Sequence, residues 1–473
     1  MRNGWIRGGA AWVGVGMIWG GVGETVAAVE SPAAPAQSLI LFIGDGVDDH
    51  QLTIARNYLF GNVAAADGFS FDRFDARAAA VVQTVSEQDG VTPVYVGDSA
   101  SGGTAIAAGT VTSRGRIATT ARTDRDVPTV LELAQAAGLR TGLVTTSSIT
   151  DATPASFVAH IALRYCEGPG DMAGMRGGVR TGCPDDVSTA GGPGSIAEQI
   201  AASGVDVLLG GGTKPFSQPT ASGETPLQAA RAAGYSVVED RAGLLGADAK
   251  RPLLGLFGPG TLPVEWAAQG GAQAEPVRVS ATGEIVYPEA QTCVPNPDFG
   301  NRPTLEEMTR KAIELLGADG ARFFLMVESA SIDKQAHARQ ACGQIGETQA
   351  LDRSVQAALD FAETHPETAL LVASDHGHAA QIVPIPSMFA ALPPMLGPQL
   401  PPGRVAVVKM PRGGVMGVSY GSNQGYAEEH TGTQTPVFGQ GPGTESVRGL
   451  IRQADLFDVM RRALGLEVSP PQP

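Results

Sequence analysis

The sequence predicts an α/β fold with a central, mainly parallel sheet flanked by helices on both faces. The first observation is a set of short apolar runs of strand length: Leu39–Ile43, Thr141–Thr145, Val205–Leu209, Phe323–Val327 and Ala369–Ala373. The second is helical periodicity in segments between them: Thr129–Ala137, Thr304–Leu316 and Gly346–Thr364. Strands that alternate with helices form βαβ units, in which the strands run parallel and the helices cover the sheet.

The remaining segments are predicted to add loops to this sheet and one closing helix. Two stretches rich in Pro and Gly, Ser217–Pro288 and Pro384–Gly414, indicate loop insertions, because strand-like segments resume on both sides of them. An interpretation of these stretches as linkers between domains is possible but weaker. The segment Gln453–Leu464 is predicted to form an amphipathic closing helix. We therefore expect a single domain over residues 38–473.

The N-terminus has the features of a secretory signal peptide. Two arginines precede an uncharged run of apolar and small residues (10–22), and the small residues 26–28 offer a cleavage site. We expect residues 1–28 to be the signal peptide and residues 29–37 to be a disordered lead-in, which predicts a periplasmic or secreted protein. A short membrane anchor is the alternative for the first segment. No other apolar run is long enough to span a bilayer.

The cysteine count favours disulfide bonds. The chain has four cysteines, which is an even number after a secretory signal, and four cysteines allow three pairings. The pairing that is local in sequence joins Cys166 to Cys183 and Cys293 to Cys342, and a first loop of about 16 residues would contribute roughly 3 kcal/mol. Four reduced, buried thiols are the alternative. A zinc–cysteine site is disfavoured, because no Cys-x-x-Cys pair exists.

Composition and charge exclude several classes of protein. With 43% hydrophobic residues the chain can bury a core, so global disorder is excluded. The 33 Lys and Arg against 48 Asp and Glu give a net charge of −15, which argues against a nucleic-acid backbone as the main partner. Neither a P-loop nor a dinucleotide glycine fingerprint appears in its structural context.

Polar side chains with metal-binding chemistry follow several of the predicted strands. They are Asp45 after the first strand, Asp151 and Thr153 after the second, Glu328, Asp333 and His337 after Phe323–Val327, and Asp375 and His376 after Ala369–Ala373. In an open α/β sheet, ligands bind outside the carboxyl ends of the strands. A single Asp at a strand end is usually a helix cap or a turn residue. Repeated endings of this kind, two of them with histidine, instead indicate a metal site.

The residue types suggest two kinds of metal. Asp333 and His337 are spaced to lie on one face of a helix, and mixtures of Asp and His suit zinc. Glu328, Asp45 and the Thr153 hydroxyl form an all-oxygen set, which suits magnesium. The remaining histidines are expected to be structural or on the surface (His50, His160 and His365), or to line the site without binding metal directly (His378).

Ser99 is a candidate nucleophile of a different kind. It begins a stretch of small residues that enters an Ala-rich helical segment, so backbone N–H groups would point at a bound anion. A serine hydroxyl is a poor nucleophile unless a base or a metal lowers its pKa. No Gly-x-Ser-x-Gly elbow surrounds Ser99, so a metal-activated serine is the favoured hypothesis. A helix N-cap serine is the alternative.

Seven segments of the chain match the motifs of one known family. They are Phe42–Gly46 (FIGDG), Asp98–Ala100 (DSA), Asp151–Ala155 (DATPA) with His160 and Arg164, Val327–Gln335 (VESASIDKQ) with His337, Cys342–Thr348 (CGQIGET), Asp375–His378 (DHGH) and Glu429–Gln434 (EHTGTQ). From about Leu39 to Leu464 the chain thus resembles the bacterial alkaline phosphatases. A chance match to all of these segments in the same order is not credible.

The resemblance implies a role for each matched residue. Ser99 would be the nucleophile that becomes phosphorylated, and Arg164 would grip the phosphate. Asp98, Asp151 and Lys334 would support phosphate binding. The implied metal ligands are Asp333, His337 and His430 for a first zinc, Asp45, Asp375 and His376 for a second zinc, and Asp45, Thr153 and Glu328 for magnesium. The implied cofactors are thus two Zn²⁺ and one Mg²⁺ per chain, and the cysteine spacing fits the two local disulfides of the family.

The implied activity is metal-dependent hydrolysis of small phosphate monoesters at alkaline pH through a phosphoserine intermediate, which releases inorganic phosphate and an alcohol. A homodimer is implied by resemblance alone. The alternatives are a phosphodiesterase or sulfatase of the same superfamily and a non-catalytic, secreted phosphate- or metal-binding protein. Ser99 lacks the Cys/Ser-x-Pro-x-Arg setting of sulfatases, while Glu328, Thr153 and Arg164 favour monoesters. A non-catalytic protein would be expected to lose the nucleophile or a zinc ligand, and none is lost.

Some positions depart from the family pattern. Asp48 stands where the family often has Gly, which adds a charge near the site. Ser101–Gly103 replaces a more Ala-rich stretch, which predicts a more flexible turn after the nucleophile. Ala336 stands where one branch carries Asp. Asp151 together with Lys334 resembles the enterobacterial type, in which the third site prefers magnesium.

Overall fold

The computed structural model of the chain describes residues 35–61, 68–176, 179–180, 182–386 and 400–467. The predicted signal peptide and the first part of the lead-in, up to residue 34, lie outside the described residues. Ala36 is fully buried and donates its N–H to the Ala463 carbonyl at 2.7 Å. The end of the predicted lead-in thus packs against the C-terminal helix, while the disorder of residues 29–37 stays a prediction. Pro35–Pro473 groups as one compact unit, while the predicted boundaries at residues 28 and 37 stay predictions.

A ten-stranded sheet forms the centre of the molecule. Its strands are β1 (Ser38–Gly44), β2 (Ala76–Val81), β3 (Arg140–Ser148), β4 (Val207–Gly211), β5 (Ser236–Val238), β6 (Leu253–Leu256), β7 (Phe323–Ser329), β8 (Thr368–Ala373), β9 (Gln434–Gln440) and β10 (Arg448–Arg452). Their order is β10-β2-β9-β8-β1-β7-β3-β4-β6-β5. Only β9 is antiparallel to its neighbours in this sheet, so the predicted mainly parallel α/β fold is confirmed.

Helices cover both faces of the sheet. They are α1 (Asp49–Phe60), α2 (Ser99–Ala108), α3 (Val130–Ala136), α4 (Ala152–Ala155), α5 (Ile196–Ala202), α6 (Thr213–Phe216), α7 (Pro226–Ala232), α8 (Arg241–Gly246), α9 (Leu305–Leu316), α10 (Ser331–His337), α11 (Ala341–Thr364) and α12 (Asp455–Leu464). Capping boxes at Thr129 and Thr304 set the starts of α3 and α9, as the predicted bounds require.

The core lies on the two faces of β1. Its side chains alternate, so Leu39, Leu41 and Ile43 face one apolar cluster, and Ile40 and Phe42 face the other. All of these residues are fully buried. Burial on both faces explains why the central strands are continuous apolar runs in the sequence.

The two predicted insertions contain more regular structure than loops alone. The segment from 217 to 288 contributes β5 and β6 to the edge of the main sheet. The segment from 384 to 414 contributes Arg404–Lys409 to a second sheet of four strands, whose other members are Glu275–Pro276, Gln381–Val383 and Val415–Tyr420. Residues 387–399 lie outside the described residues.

Short paired strands complete the described structure. They are Thr84–Val85 with Pro93–Val94, Met175–Arg176 with Val179–Arg180, Trp266–Ala268 with Cys293–Pro295, Arg278–Val279 with Ile285–Val286, and Gly377–His378 with His430–Thr431. Both predicted disulfides are present, Cys166–Cys183 and Cys293–Cys342. None of the helices in the described part of the chain is both long and apolar enough to cross a membrane.

Candidate active site

The site lies at the carboxyl ends of neighbouring strands, and the parallel register explains why. Ile43 of β1 pairs with Glu328 of β7 and with Ala373 of β8. Asp45 lies two residues after Ile43, and Asp375 lies two residues after its partner Ala373. The two carboxylates therefore lie side by side at the carboxyl edge of the sheet. The sequence-predicted ligands are therefore brought together by strand register across distant parts of the chain.

One group consists of Asp45, Asp375 and His376, all buried, with ligand atoms within 4.8 Å of one another. His376 Nε2 lies 3.5 Å from Asp45 Oδ1 and 3.4 Å from Asp375 Oδ2. Neither of these carboxylate oxygens has a hydrogen-bond partner. Burial, and then the neighbouring carboxylates of Asp333 and Asp375, raise the pKa of Asp45. A divalent cation would compensate this buried negative charge, so the donor set fits a metal.

A second group combines Asp333 with three histidines. Asp333 and His337 lie one turn apart on α10, and the pairing of Gly377–His378 with His430–Thr431 brings the other two rings beside them. Asp333 Oδ1 lies 3.5 Å from Nε2 of His337 and 3.3 Å from Nε2 of both His378 and His430. This oxygen has no hydrogen-bond partner either.

The backbone fixes which ring nitrogen of each histidine can bind a metal. Nδ1 lies against a backbone carbonyl in His337 (2.5 Å to Glu428 O), His430 (3.0 Å to Gly97 O) and His376 (3.2 Å to Gly377 O). Nδ1–H is the donor in these pairs, which leaves a lone pair on each Nε2. The Nε2 atoms of His337 and His430 lie only 3.1 Å apart. Two lone pairs cannot hydrogen bond to each other, so a cation between them fits the geometry.

His378 has the opposite arrangement. Its Nδ1 accepts a hydrogen bond from the Ala379 N–H at 2.7 Å, so its Nε2 carries the proton. Burial lowers the pKa of His378 to about 3, which keeps the ring neutral. His378 is therefore not available as a metal ligand through Nε2, and its N–H faces Asp333 instead. Residue spacing cannot supply this distinction, because the tautomer depends on a backbone contact.

A third group consists of oxygen donors. The Glu328 carboxylate accepts a hydrogen bond from the Thr145 hydroxyl at 2.5 Å, and burial raises the pKa of Glu328 to about 7. The Thr153 hydroxyl of α4 is buried and lies beside the Glu328 carboxylate. Together with Asp45, these atoms form the all-oxygen set that suits magnesium.

Ser99 is the first residue of α2 and lies beside the group formed by Asp45, Asp375 and His376. Its Oγ lies 3.3 Å from His376 Nε2. Asp98 is the N-cap of α2, and its carboxylate accepts the Ser101 N–H at 3.1 Å. The helix approaches the Asp375 loop so closely that a Cβ on Gly102 would lie 2.3 Å from the Asp375 carbonyl oxygen. Ser101–Gly103, expected to form a turn, is instead helical and buried; the expected flexibility of this segment stays a prediction.

Arg164 and Lys334 are among the cations that line the cleft in front of Ser99, and they bind the carboxylates of Asp98 and Asp151. Arg164 donates to Asp98 Oδ2 at 3.2 Å and to Asp151 Oδ1 at 3.0 Å, and Lys334 donates to Asp151 Oδ2 at 2.7 Å. Burial alone would raise the pKa of Asp151, but the charges of Lys334 and Arg164 lower it well below its ordinary value. The cleft has a volume of about 340 Å³, and its rim includes Tyr165.

The remaining sequence-predicted positions lie outside this cleft. Asp48 caps α1 by accepting the His50 N–H at 2.8 Å, and burial raises the pKa of Asp48 to about 6. Ala336 is fully buried in an apolar cluster. His50 and His365 are exposed. His160 contacts Glu132 Oε1 at 2.8 Å and the Ala118 carbonyl at 2.9 Å.

Sequence reasoning missed the ion pair between Arg339 and Glu428. It is buried and lies beside His337, with Nε–Oε1 at 2.6 Å. The two residues are far apart in sequence, and neither belongs to a matched motif that signals a pair.

Comparisons with known proteins agree with this geometry. The alkaline phosphatase family model matches residues 36–427. Streptomycin-6-phosphate phosphatase of Streptomyces griseus is 43% identical and covers 98% of each chain. Alkaline phosphatase of Escherichia coli is 42% identical over 92% of this chain and 87% of its own. The crystal structure of Thermus thermophilus alkaline phosphatase aligns with a TM-score of 0.65 at 21% identity, over 95% of this chain and 96% of its own, and supports the fold.

The family match and the two relatives above 40% identity support the activity as well as the fold. The metal-ligand groups and the disulfides agree with the same assignment. The chain belongs to the alkaline phosphatase family and is a metal-binding enzyme that hydrolyses phosphate monoesters.

Proposed function

We propose that hydrolysis proceeds through a phosphoserine at Ser99, with two Zn²⁺ and one Mg²⁺ per chain. The observation that carries this proposal is the position of Ser99 Oγ, 3.3 Å from His376 Nε2 and facing the cleft that contains Arg164. The unpartnered, buried oxygens of Asp45, Asp333 and Asp375 support the metal assignment.

The proposed ligands follow the donor sets described above. They are Asp333, His337 and His430 for the first zinc, Asp45, Asp375 and His376 for the second zinc, and Asp45, Thr153 and Glu328 for magnesium. When bound, such ions lower the pKa of the attacking hydroxyl or water and stabilise the entering and leaving oxygens of an in-line displacement.

The chain's own residues bind and orient the phosphoryl group. Arg164 is held in place by Asp98 and Asp151, so its remaining N–H donors can bind phosphate oxygens. Lys334 is a second cation in the cleft, and its ammonium group is held by a hydrogen bond to the same Asp151. The N-terminus of α2 also favours an anion at Ser99. These groups together hold the charge of the phosphoryl group during transfer.

The reaction then has two displacements. Ser99 Oγ loses its proton to solvent and attacks phosphorus; the bond from phosphorus to the ester oxygen breaks, and that oxygen takes up a proton from solvent and leaves as the alcohol. A water molecule next loses a proton and attacks phosphoserine; the bond from phosphorus to Oγ breaks, Oγ takes up a proton again, and inorganic phosphate is released. Both displacements require the entering and leaving oxygens to be held in line with phosphorus.

Turnover of p-nitrophenyl phosphate tests the proposal. We expect activity that rises at alkaline pH, that a chelator removes and that zinc with magnesium restores. His430→Gln should lose activity, while the exposed control His365→Gln should keep it. Faster turnover of the corresponding diester or sulfate, or full activity in the presence of chelator, would overturn the assignment. Because one relative is named for streptomycin 6-phosphate, this ester belongs in the substrate panel.

Location and assembly complete the proposal. The two disulfides and the alkaline phosphatase relatives support a periplasmic or secreted protein that starts with a cleaved signal peptide. We propose a single catalytic domain over residues 38–473 and a homodimer, on the strength of family resemblance. Osmotic-shock fractionation with N-terminal sequencing tests the location, and sedimentation tests the assembly.

A further inference from the structure

A buried ion pair joins Arg339, just after helix α10, to Glu428 in the loop that precedes His430. Arg339 Nε donates to Glu428 Oε1 at 2.6 Å, and the side chains are 8% and 0% exposed. Breaking a buried ion pair is strongly unfavourable, because it leaves an uncompensated charge. The pair therefore strongly favours one arrangement of the two segments that it connects.

The Glu428 carboxylate also closes its own loop. Its second oxygen, Oε2, accepts hydrogen bonds from the Ser422 N–H at 2.8 Å, the Ser422 hydroxyl at 2.9 Å and the Asn423 N–H at 2.9 Å. Every contact spans the loop from residue 422 to residue 428. The carboxylate thus fixes the loop internally while it binds Arg339 externally.

The Arg339 guanidinium binds three backbone carbonyls of the same loop. Its Nη1 donates to the Tyr426 carbonyl at 3.2 Å, and its Nη2 donates to the Asn423 and Gly425 carbonyls at 3.0 Å each. The planar fork of Arg suits several acceptors at once, whereas the compact ammonium of Lys does not. Arg339 also adopts a left-handed backbone conformation, with φ of +59°, just after α10. This conformation turns the chain so that the side chain can enter the loop.

The backbone of Glu428 connects this network to the proposed ligands of the first zinc, Asp333, His337 and His430, which we call the first-zinc group. Its carbonyl accepts His337 Nδ1–H at 2.5 Å, and its N–H donates to the His337 carbonyl at 3.1 Å. His430 follows two residues later. A displacement of Glu428 would therefore rotate the His337 ring and move the His430 ring together.

We propose that Arg339 and Glu428 are positioning residues that set how tightly the first-zinc group retains its metal. The inference rests on the proposed metal assignment and adds a determinant that contacts neither substrate nor metal. Residues that orient metal-binding histidines typically contribute a factor of about 10 to 100 in metal affinity.

Zinc retention under competition tests this role. The full-length enzyme, Glu428→Gln and Arg339→Lys are dialysed against zinc buffered by a chelator of graded strength, and bound zinc per chain is measured by atomic emission. We expect both variants to lose one zinc at about 10- to 100-fold higher free zinc than the unchanged enzyme, and to keep the other zinc as tightly. Turnover of p-nitrophenyl phosphate should return at saturating zinc.

A matched control separates positioning from general stability. Glu307→Gln breaks a bidentate pair with Arg241 that lies on α8 and α9, outside the cleft, and should leave zinc retention unchanged. Three results would overturn the inference. The folded variants could retain both zinc ions as tightly as the unchanged enzyme, they could lose both ions together, or both variants could fail to fold. If the unchanged enzyme binds no zinc at all, the proposed metal assignment fails instead.

Discussion

Arg164→Lys is the substitution whose effect follows most directly from the geometry of the cleft. A guanidinium has five N–H donors and an ammonium has three. Asp98 and Asp151 each accept one bond from Arg164, so about three donors remain for phosphate in the Arg enzyme and about one in the Lys variant. The bidentate grip on two phosphate oxygens is then reduced to a single contact.

The expected cost is that of at least one charge-assisted hydrogen bond, about 1.5–3 kcal/mol. Since about 1.4 kcal/mol corresponds to a factor of ten, kcat/KM should fall about 10- to 150-fold. The inhibition constant of inorganic phosphate should rise in parallel, because the lost contact is made to phosphate itself.

Steady-state kinetics with p-nitrophenyl phosphate measures this effect, with Arg116→Lys as the control. Arg116 is also largely buried, with 9% of its side chain exposed against 17% for Arg164, and it also binds two carboxylates, Glu87 and Asp124, but it is not among the residues that line the cleft. The control should change stability and leave kcat/KM within about threefold. If kcat/KM and the inhibition constant of phosphate are nearly unchanged in Arg164→Lys, the Arg164 guanidinium does not bind two phosphate oxygens as proposed.

Three further predictions concern the metal site, the pH dependence of stability and the disulfides. Thr153→Val should weaken magnesium activation by about tenfold, the equivalent of one lost charged contact, and an unchanged magnesium titration would contradict the site. Burial alone would lower the pKa of His160, but the hydrogen bond and charge of Glu132 outweigh it and raise this pKa. The His160–Glu132 ion pair should therefore stabilise the fold fully below about pH 6.5, and this stabilisation should be lost as pH rises through the folded-state pKa of His160. In urea unfolding, the loss in free energy of unfolding caused by His160→Asn should therefore be smaller at alkaline pH. A loss that does not change with pH would contradict this prediction. Replacing both cysteines of Cys166–Cys183 should lower the free energy of unfolding by about 3 kcal/mol, and replacing both cysteines of Cys293–Cys342 should lower it by about 4 kcal/mol. The second value is larger because the sequence separation is 49 residues instead of 17. A larger loss for Cys166–Cys183 in urea unfolding would contradict the explanation by loop entropy.

The centre of the sheet could be predicted from the sequence, and its flanks could not. Parallel strands buried on both faces contain short apolar segments, so β1, β3, β7 and β8 are visible in the sequence, and β4 is shifted by only two residues. The outer strand β2, with the sequence ARAAAV, is partly exposed and carries a charge. Its pairing with β9 depends on long-range contacts that no local pattern encodes.

The candidate site was predictable in its residue types and not in its protonation states. The strand-end rule and the family motifs point to the same carboxylates and histidines. The metal-binding role of a histidine, however, depends on whether Nδ1 faces a carbonyl, as in His337, or an N–H, as in His378. The Arg339–Glu428 pair likewise forms only when α10 and the loop before His430 meet in the folded chain.

The most direct test of the proposed mechanism is covalent trapping of phosphate on Ser99. The enzyme is mixed with p-nitrophenyl phosphate, quenched in acid and digested, and the phosphorylated residue is identified by mass spectrometry. We expect phosphate on Ser99 in the unchanged enzyme and in Ser101→Ala, a neighbouring serine of the same helix, and neither phosphate nor turnover in Ser99→Ala. Phosphate on a different residue, or full turnover by Ser99→Ala, would contradict the mechanism.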